Sequence, residues 1–154
     1  MRISFNIKVI ALLQIVLIFG ACGKITFVAP YNHLSAEEHN DLGRIYEDKG
    51  LLDLAEKEYE KAKKKNKGWF VPYFNLGNIE FKRNRYGKAE KWYRMALKIN
   101  PGNPDVMNNL ALCLLRQGKT EKAREMVHRA LSIERKQEYL DTLKEIESAV
   151  IDKN

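Results

Sequence analysis

A chain of 154 residues has room for one domain with a real core and too little for two. Hydrophobic residues make up 45% of it and charged residues 31%, with only four prolines, which argues against a disordered or membrane-embedded chain and suits a soluble helical body. The net charge of +7 favours anionic lipid headgroups or an acidic partner, without demanding nucleic acid.

The first 21 residues stand apart from that body. Arg2 and Lys8 give a positive start, Val9 to Phe19 is apolar except for Gln14, and the small residues Gly20 and Ala21 follow. This order is that of an export signal. The apolar run reaches about 13 residues before Gly23 and Lys24 close it, short of the roughly 20 that span a bilayer. Phe19-Gly20-Ala21-Cys22 resembles a lipobox, the bacterial motif whose cysteine thiol takes a diacylglycerol and becomes the first mature residue. The resemblance implies a signal peptide over 1–21, lipid on Cys22 and a linker over 22–35; an uncleaved anchor is the alternative. Gly23 after the cysteine is similar to the pattern of outer-membrane sorting. Removing Arg2 and Lys8 leaves 25 basic against 20 acidic residues, a net of +5. With Cys22 lipidated, Cys113 has no disulfide partner in the chain, and its apolar neighbourhood predicts a buried, inert thiol.

From residue 36 the chain repeats every 34 residues. Leu42-Gly43 falls on Leu76-Gly77 and then on Leu110-Ala111; Ala55 on Ala89 and Ala123; Ala62 on Ala96 and Ala130; Tyr59 on Tyr93 and Val127. Spacings of four and seven within each unit are helical. Ser35 with Glu38 forms a capping box that opens the array, and Asn103-Pro104 is an N-cap followed by a first-turn proline. Gly50, Asn84 and Gly118 close the first helix of each pair, and Asp53 and Thr120 are candidate caps for the helices that follow. The expected helices are 36–48, 53–65, 70–82, 87–99, 104–116 and 121–133. A further amphipathic helix with Tyr139, Leu143, Ile146 and Val150 on one stripe caps the last unit.

Period and residues together resemble the tetratricopeptide repeat family over about 36–135, best in the middle unit with Asn75-Leu76-Gly77-Asn78, Ala89, Tyr93, Ala96 and Pro101. Lys67 replaces a usual proline and Glu80 a usual aromatic, which bears on the tightness of the first junction. The resemblance implies an all-α solenoid of three helix pairs (36–69, 70–103, 104–135) with a capping helix in 136–154. It also implies a concave groove that takes a peptide or helix of another protein.

Helical geometry places the groove stripe opposite the core face. It comprises Asn40 and Arg44 in the first unit, Phe74, Asn78 and Phe81 or Lys82 in the second, and Asn108, Leu112 and Leu115 or Arg116 in the third. Asn75 and Asn109 are similar to asparagines with which some family members hold an extended peptide backbone; the first unit has Asp41 there. Phe74, Phe81, Leu112 and Leu115 have two readings, as groove surface or as packing between neighbouring first helices. The carboxylate clamp of chaperone-adaptor relatives is not reproduced by the pairs Asn40/Arg44, Phe74/Asn78 and Asn108/Leu112, so an acidic C-terminal tail is not the expected guest.

Catalytic motifs are absent from the sequence. His33, His39 and His128 have no metal-ligand spacing, and no glycine-rich phosphate loop or CxxC pair occurs. His39 beside Glu37, Glu38 and Asp41 reads as the acidic first turn of a helix rather than a metal site. Lys61, Lys63, Lys64, Lys65 and Lys67 suit the end of a helix and its dipole, with docking to an anionic lipid or polymer as the sharper reading. The expectation is a non-enzymatic, cofactor-free adaptor or assembly factor. It is lipid-anchored at the bacterial cell envelope, faces the periplasm and binds another protein rather than nucleic acid or a small-molecule substrate. The alternative is an uncleaved, membrane-anchored structural tether.

Overall fold

The computed structural model describes residues 34–151. The expected signal segment, Cys22 and His33 lie outside the described residues. The described residues from Ser35 onward form one compact unit. Its described helices are α1 (Ala36–Asp48), α2 (Leu52–Lys65), α3 (Phe70–Lys82), α4 (Tyr86–Ile99), α5 (Pro104–Arg116), α6 (Thr120–Ile133) and α7 (Gln137–Ile151). Each pairs chiefly with its neighbours in sequence, and first helices touch the next first helix, α1 with α3, α3 with α5 and α5 with α7. The result is a two-layered solenoid, with first helices in one layer and second helices in the other.

The capping box at Ser35 is present. The hydroxyl accepts from the Glu38 amide at 3.1 Å, and the Ser35 amide donates to the Glu38 carboxylate at 2.7 Å. Asn103 Oδ1 accepts from the Val106 amide at 2.9 Å, with Pro104 in the first turn.

The turns inside each pair correct the expected starts of the second helices. Asp53 and Thr120 cap nothing; the N-cap residues are Leu51, Arg85 and Lys119, and none makes a side-chain cap. Backbone alone makes these turns. Gly50 and Gly118 at φ 73° and Asn84 at φ 58° take the left-handed conformation that glycine and asparagine tolerate best. The amides of Leu51, Arg85 and Lys119 donate to the carbonyls of Tyr46, Glu80 and Leu114, each at 2.9 Å. The amides of Gly50, Asn84 and Gly118 donate to those of Glu47, Phe81 and Leu115. These are Schellman closures. They return the chain so quickly that the next helix begins one residue earlier, at Leu52, Tyr86 and Thr120.

Small residues set how closely each pair approaches. A methyl group on Gly43 would stand 2.6 Å from Tyr59 Cε1, and one on Gly77 would stand 2.5 Å from Tyr93 Cε1. Both rings are buried. In the third pair the glycine becomes Ala111 and the tyrosine becomes Val127, so one volume shrinks where the other grows.

Glu80, where the family pattern has an aromatic, is buried and receives Arg83 Nη1 at 3.1 Å. Arg83 also reaches Glu56 at 2.6 Å and Asp53 on α2. The second pair is thus held to the first by an ion network where an aromatic would pack. At the next junction, burial raises the Glu90 carboxyl, but hydrogen bonds from Lys119, Arg94 and Gln117 outweigh it and bring it to about 2.

The helix α7 occupies the place of a fourth first helix. Tyr139 donates to Asp105, 34 residues earlier, at 2.5 Å, and Arg116 bonds to Glu145. Tyr139, Thr142 and Ile146 are buried, while Leu143 and Val150 are half-buried. A shift of 34 carries the core positions Met107, Leu110, Ala111 and Leu114 onto Asp141, Lys144, Glu145 and Ser148. All four of these are exposed. The face that would accept a further second helix is therefore polar, and the array closes there.

Candidate functional site: a groove across the first helices

Among the described residues, two depressions lie on the first-helix layer. One, of about 270 Å³, is lined by Glu47 on α1, Asn78, Phe81 and Lys82 on α3, Tyr93 on α4, and Asn109 and Leu112 on α5. The other, of about 300 Å³, is lined by Asn40, Asp41 and Arg44 on α1, Phe70, Val71, Phe74 and Asn75 on α3, and Asn103 and Asp105 around the start of α5.

Polar contacts run from repeat to repeat across the floor. Asn75 Nδ2 donates to Asn40 Oδ1 at 2.8 Å, which leaves Asn40 nearly covered. Asn78 Oδ1 accepts from Asn109 Nδ2 at 3.0 Å and from the Tyr93 hydroxyl at 2.9 Å. Lys82 Nζ donates to Glu47 Oε1 at 2.7 Å, and the other oxygen of Glu47 accepts from Tyr59 at 2.6 Å. These bonds fix the side chains that a guest would meet, which lowers the ordering cost of binding. Arg44 forms only a loose pair with Asp41, at 3.7 Å.

Phe74 and Phe81 combine the two readings of the sequence. Each is half-buried, with one side against the main core. The Phe74 ring lies 6.0 Å from that of Tyr93, and the Phe81 ring 5.3 Å from that of Tyr86. The remaining surface of each ring lines a depression.

Three expected groove residues are elsewhere. Asn108 is fully buried, Leu115 is 9% exposed, and Arg116 pairs with Glu145. The reason is α7, which lies along this stripe of α5 with the Asp105 contact at one end and the Arg116 contact at the other. Glu47 also belongs to the groove, beyond the expected residues of its stripe. The signal was available, because Phe81 shifted back by 34 is Glu47, three residues beyond Arg44 on the same stripe.

The sequence reading of Cys113 agrees with its surroundings. It is buried and donates through Sγ to the Tyr86 carbonyl at 3.0 Å, and burial pushes the thiol up to about 11. His39 is fully buried in the first pair, with Nδ1 2.6 Å from Glu58 Oε2. His128 is exposed.

A stack of helix pairs with a groove on the first-helix layer is a repeat scaffold of the protein-interaction class. Models of the tetratricopeptide repeat match residues 39–64 and 80–146, and the second match runs into α7. The chain belongs to the tetratricopeptide repeat family, whose domains generally mediate protein–protein interactions. Human Tetratricopeptide repeat protein 6 is 35% identical over 78 residues, which cover 51% of this chain and 15% of that protein. Cellulose synthase operon protein C of Pseudomonas fluorescens (strain SBW25) is 31% identical over 120 residues, covering 72% of this chain and 9% of that one. The chain thus spans a small part of these relatives.

Among solved structures, the first TPR domain of human RPAP3 superposes with a TM-score of 0.73 at 22% identity, covering 77% of this chain and 94% of that one. The first TPR of Spaghetti (RPAP3), bound to the HSP90 peptide SRMEEVD, gives 0.72 at 21% identity and covers 75% and 93%. These likenesses carry the fold.

Proposed function

We propose that the chain is a membrane-anchored adaptor or assembly factor of the cell envelope, which holds a peptide or helix of another protein across α1, α3 and α5. The observation that carries the groove reading is the half-exposed pair Phe74 and Phe81 beside the asparagine pairs Asn40/Asn75 and Asn78/Asn109. Aromatic faces suit apolar guest side chains, and amides suit a guest backbone. Lys82 is paired with Glu47 and Arg44 with Asp41, and Asp105 lies beside them, so the depressions offer no uncompensated cation to a guest rich in carboxylates.

Phe74→Ala tests the groove. With half of the ring in the core, the substitution is expected to cost roughly 2 kcal/mol of stability, below the roughly 3–5 of a fully buried aromatic. It should also weaken capture of the partner in cells. The partner is identified by placing a photo-crosslinking residue at Phe81, with Lys144 as the control position. Crosslinking from Phe81 and not from Lys144 is expected, and equal products from both positions would sink the groove reading.

The anchoring reading rests on the apolar run and on Phe19-Gly20-Ala21-Cys22. Intact-mass measurement of membrane-extracted protein is expected to show loss of residues 1–21 and a diacylglyceryl adduct on Cys22. A mature chain that retains Met1 would favour the uncleaved tether instead.

A further inference from the structure

We infer that the outer face of the solenoid, formed by α2, α4 and α6, is a docking surface for an anionic phospholipid bilayer.

On α2, the residues Leu54, Lys57, Lys61 and Lys64 share the face opposite the buried Ala55, Tyr59 and Ala62. A shift of 34 gives Lys88, Lys91, Met95 and Lys98 on α4, and a second shift gives Lys122, Glu125, Arg129 and Ser132 on α6. Every one of these positions is exposed. Glu125 is the single acid in these rows, while Asp53, Glu56 and Glu60 stand among the α2 lysines and the exposed Glu121 beside Lys122, so the net charge of the layer decides. Of the cations in these three rows, only Lys61 meets a carboxylate, that of Glu58 at 2.7 Å. The others remain open to an external anion.

The charge is segregated by layer. The second helices α2, α4 and α6 hold twelve Lys and Arg against seven Asp and Glu; α1, α3, α5 and α7 hold four against eleven. One layer is therefore net +5 and the other net −7. Such a molecule turns its second-helix layer toward a negative surface and its groove layer away from it.

The composition of the face favours a bilayer over nucleic acid. Leu54 and Met95 stand among the lysines at 39% and 41% exposure, where apolar groups suit the headgroup boundary. Seven of the eight cations in the three rows are lysines, whose long stems can lie along such a boundary with the charge in water. The rows contain no aromatic residue on which a base could stack. The face is also a broad layer of three helices, not a channel that follows one strand.

The inference does not depend on the groove or on the lipid at Cys22. The full chain is reconstituted with vesicles of phosphatidylcholine alone, and with vesicles that also contain phosphatidylglycerol. Limited acetylation is then read by mass spectrometry. Lys57, Lys88, Lys91 and Lys98 should be protected several-fold more in the anionic vesicles, while Lys144 on α7 reacts equally in both. Raising salt to about 1 M, where the Debye length is about 3 Å, should remove the difference. Because the two vesicle types are compared with each other, attachment through the amino terminus leaves the readout intact. Equal reactivity of the four lysines in both vesicles would overturn the inference. So would protection by single-stranded RNA without protection by anionic vesicles, which would assign the face to nucleic acid.

Discussion

Gly77→Ala is expected to destabilise the protein, and Gly87→Ala is expected not to. In an open helix the change from glycine to alanine stabilises by about 1 kcal/mol. Gly87 lies in the first turn of α4, and nothing stands within 4 Å of a methyl group placed there. At Gly77 the same methyl meets Cε1, Cδ1 and Cζ of Tyr93 at 2.5, 2.6 and 3.1 Å. The ring cannot swing aside cheaply, because it is 1% exposed and its hydroxyl is bonded to Asn78. Overpacking typically costs about 1–3 kcal/mol, which outweighs the propensity gain. Chemical denaturation of the two variants should therefore give opposite signs. Ala111 facing Val127 supplies the compensated form, so Tyr93→Val should reduce the penalty of Gly77→Ala. A double-mutant cycle should show a coupling of roughly 0.5–3 kcal/mol. Additive losses would mean that the ring and the glycine do not set the approach of α3 to α4.

Deleting residues 137–154 is expected to lower stability by at least about 3 kcal/mol. Tyr139 and Ile146 are fully buried, and burial of each such side chain is worth roughly 1.5–3 kcal/mol. The deletion also uncovers Leu115 and Asn108 and removes the ties from Tyr139 to Asp105 and from Arg116 to Glu145. A fall in melting temperature on the order of 10 °C is expected for a body of this size. An unchanged transition in differential scanning calorimetry would show that α7 does not complete the core.

Much of this architecture is legible in the chain because the same 34-residue spacing recurs three times. The first helices 36–48, 70–82 and 104–116 lie where the caps and the periodicity place them. The second helices start one residue earlier than expected, since Asp53 and Thr120 look like caps while the turns are made by backbone amides and carbonyls that every residue carries. In the groove, helical spacing identifies which face of α5 is opposite the core, but not what covers it. Asn108, Leu115 and Arg116 lie on the expected stripe and are shielded or engaged by α7, because the contact depends on where a later helix folds back. Phe74 and Phe81 could not be assigned to packing or to groove from their spacing, since each ring has one side in either environment. Glu47 follows from the repeat, since it lies 34 residues before Phe81, although a carboxylate there shares no chemistry with the ring.

The exposed row Asp141, Lys144, Glu145 and Ser148 on α7 has a bearing on assembly. A stack generated by one repeated translation and rotation has no intrinsic last member. Any copy that ended on an apolar first helix would present a template for the next molecule, and head-to-tail growth into open filaments would follow. Charged and hydroxylated side chains on that terminal surface would have to lose water without gaining partners, so addition at this end is disfavoured. The same helix that completes the core thus also acts as a stop, keeping a repetitive design at a finite length.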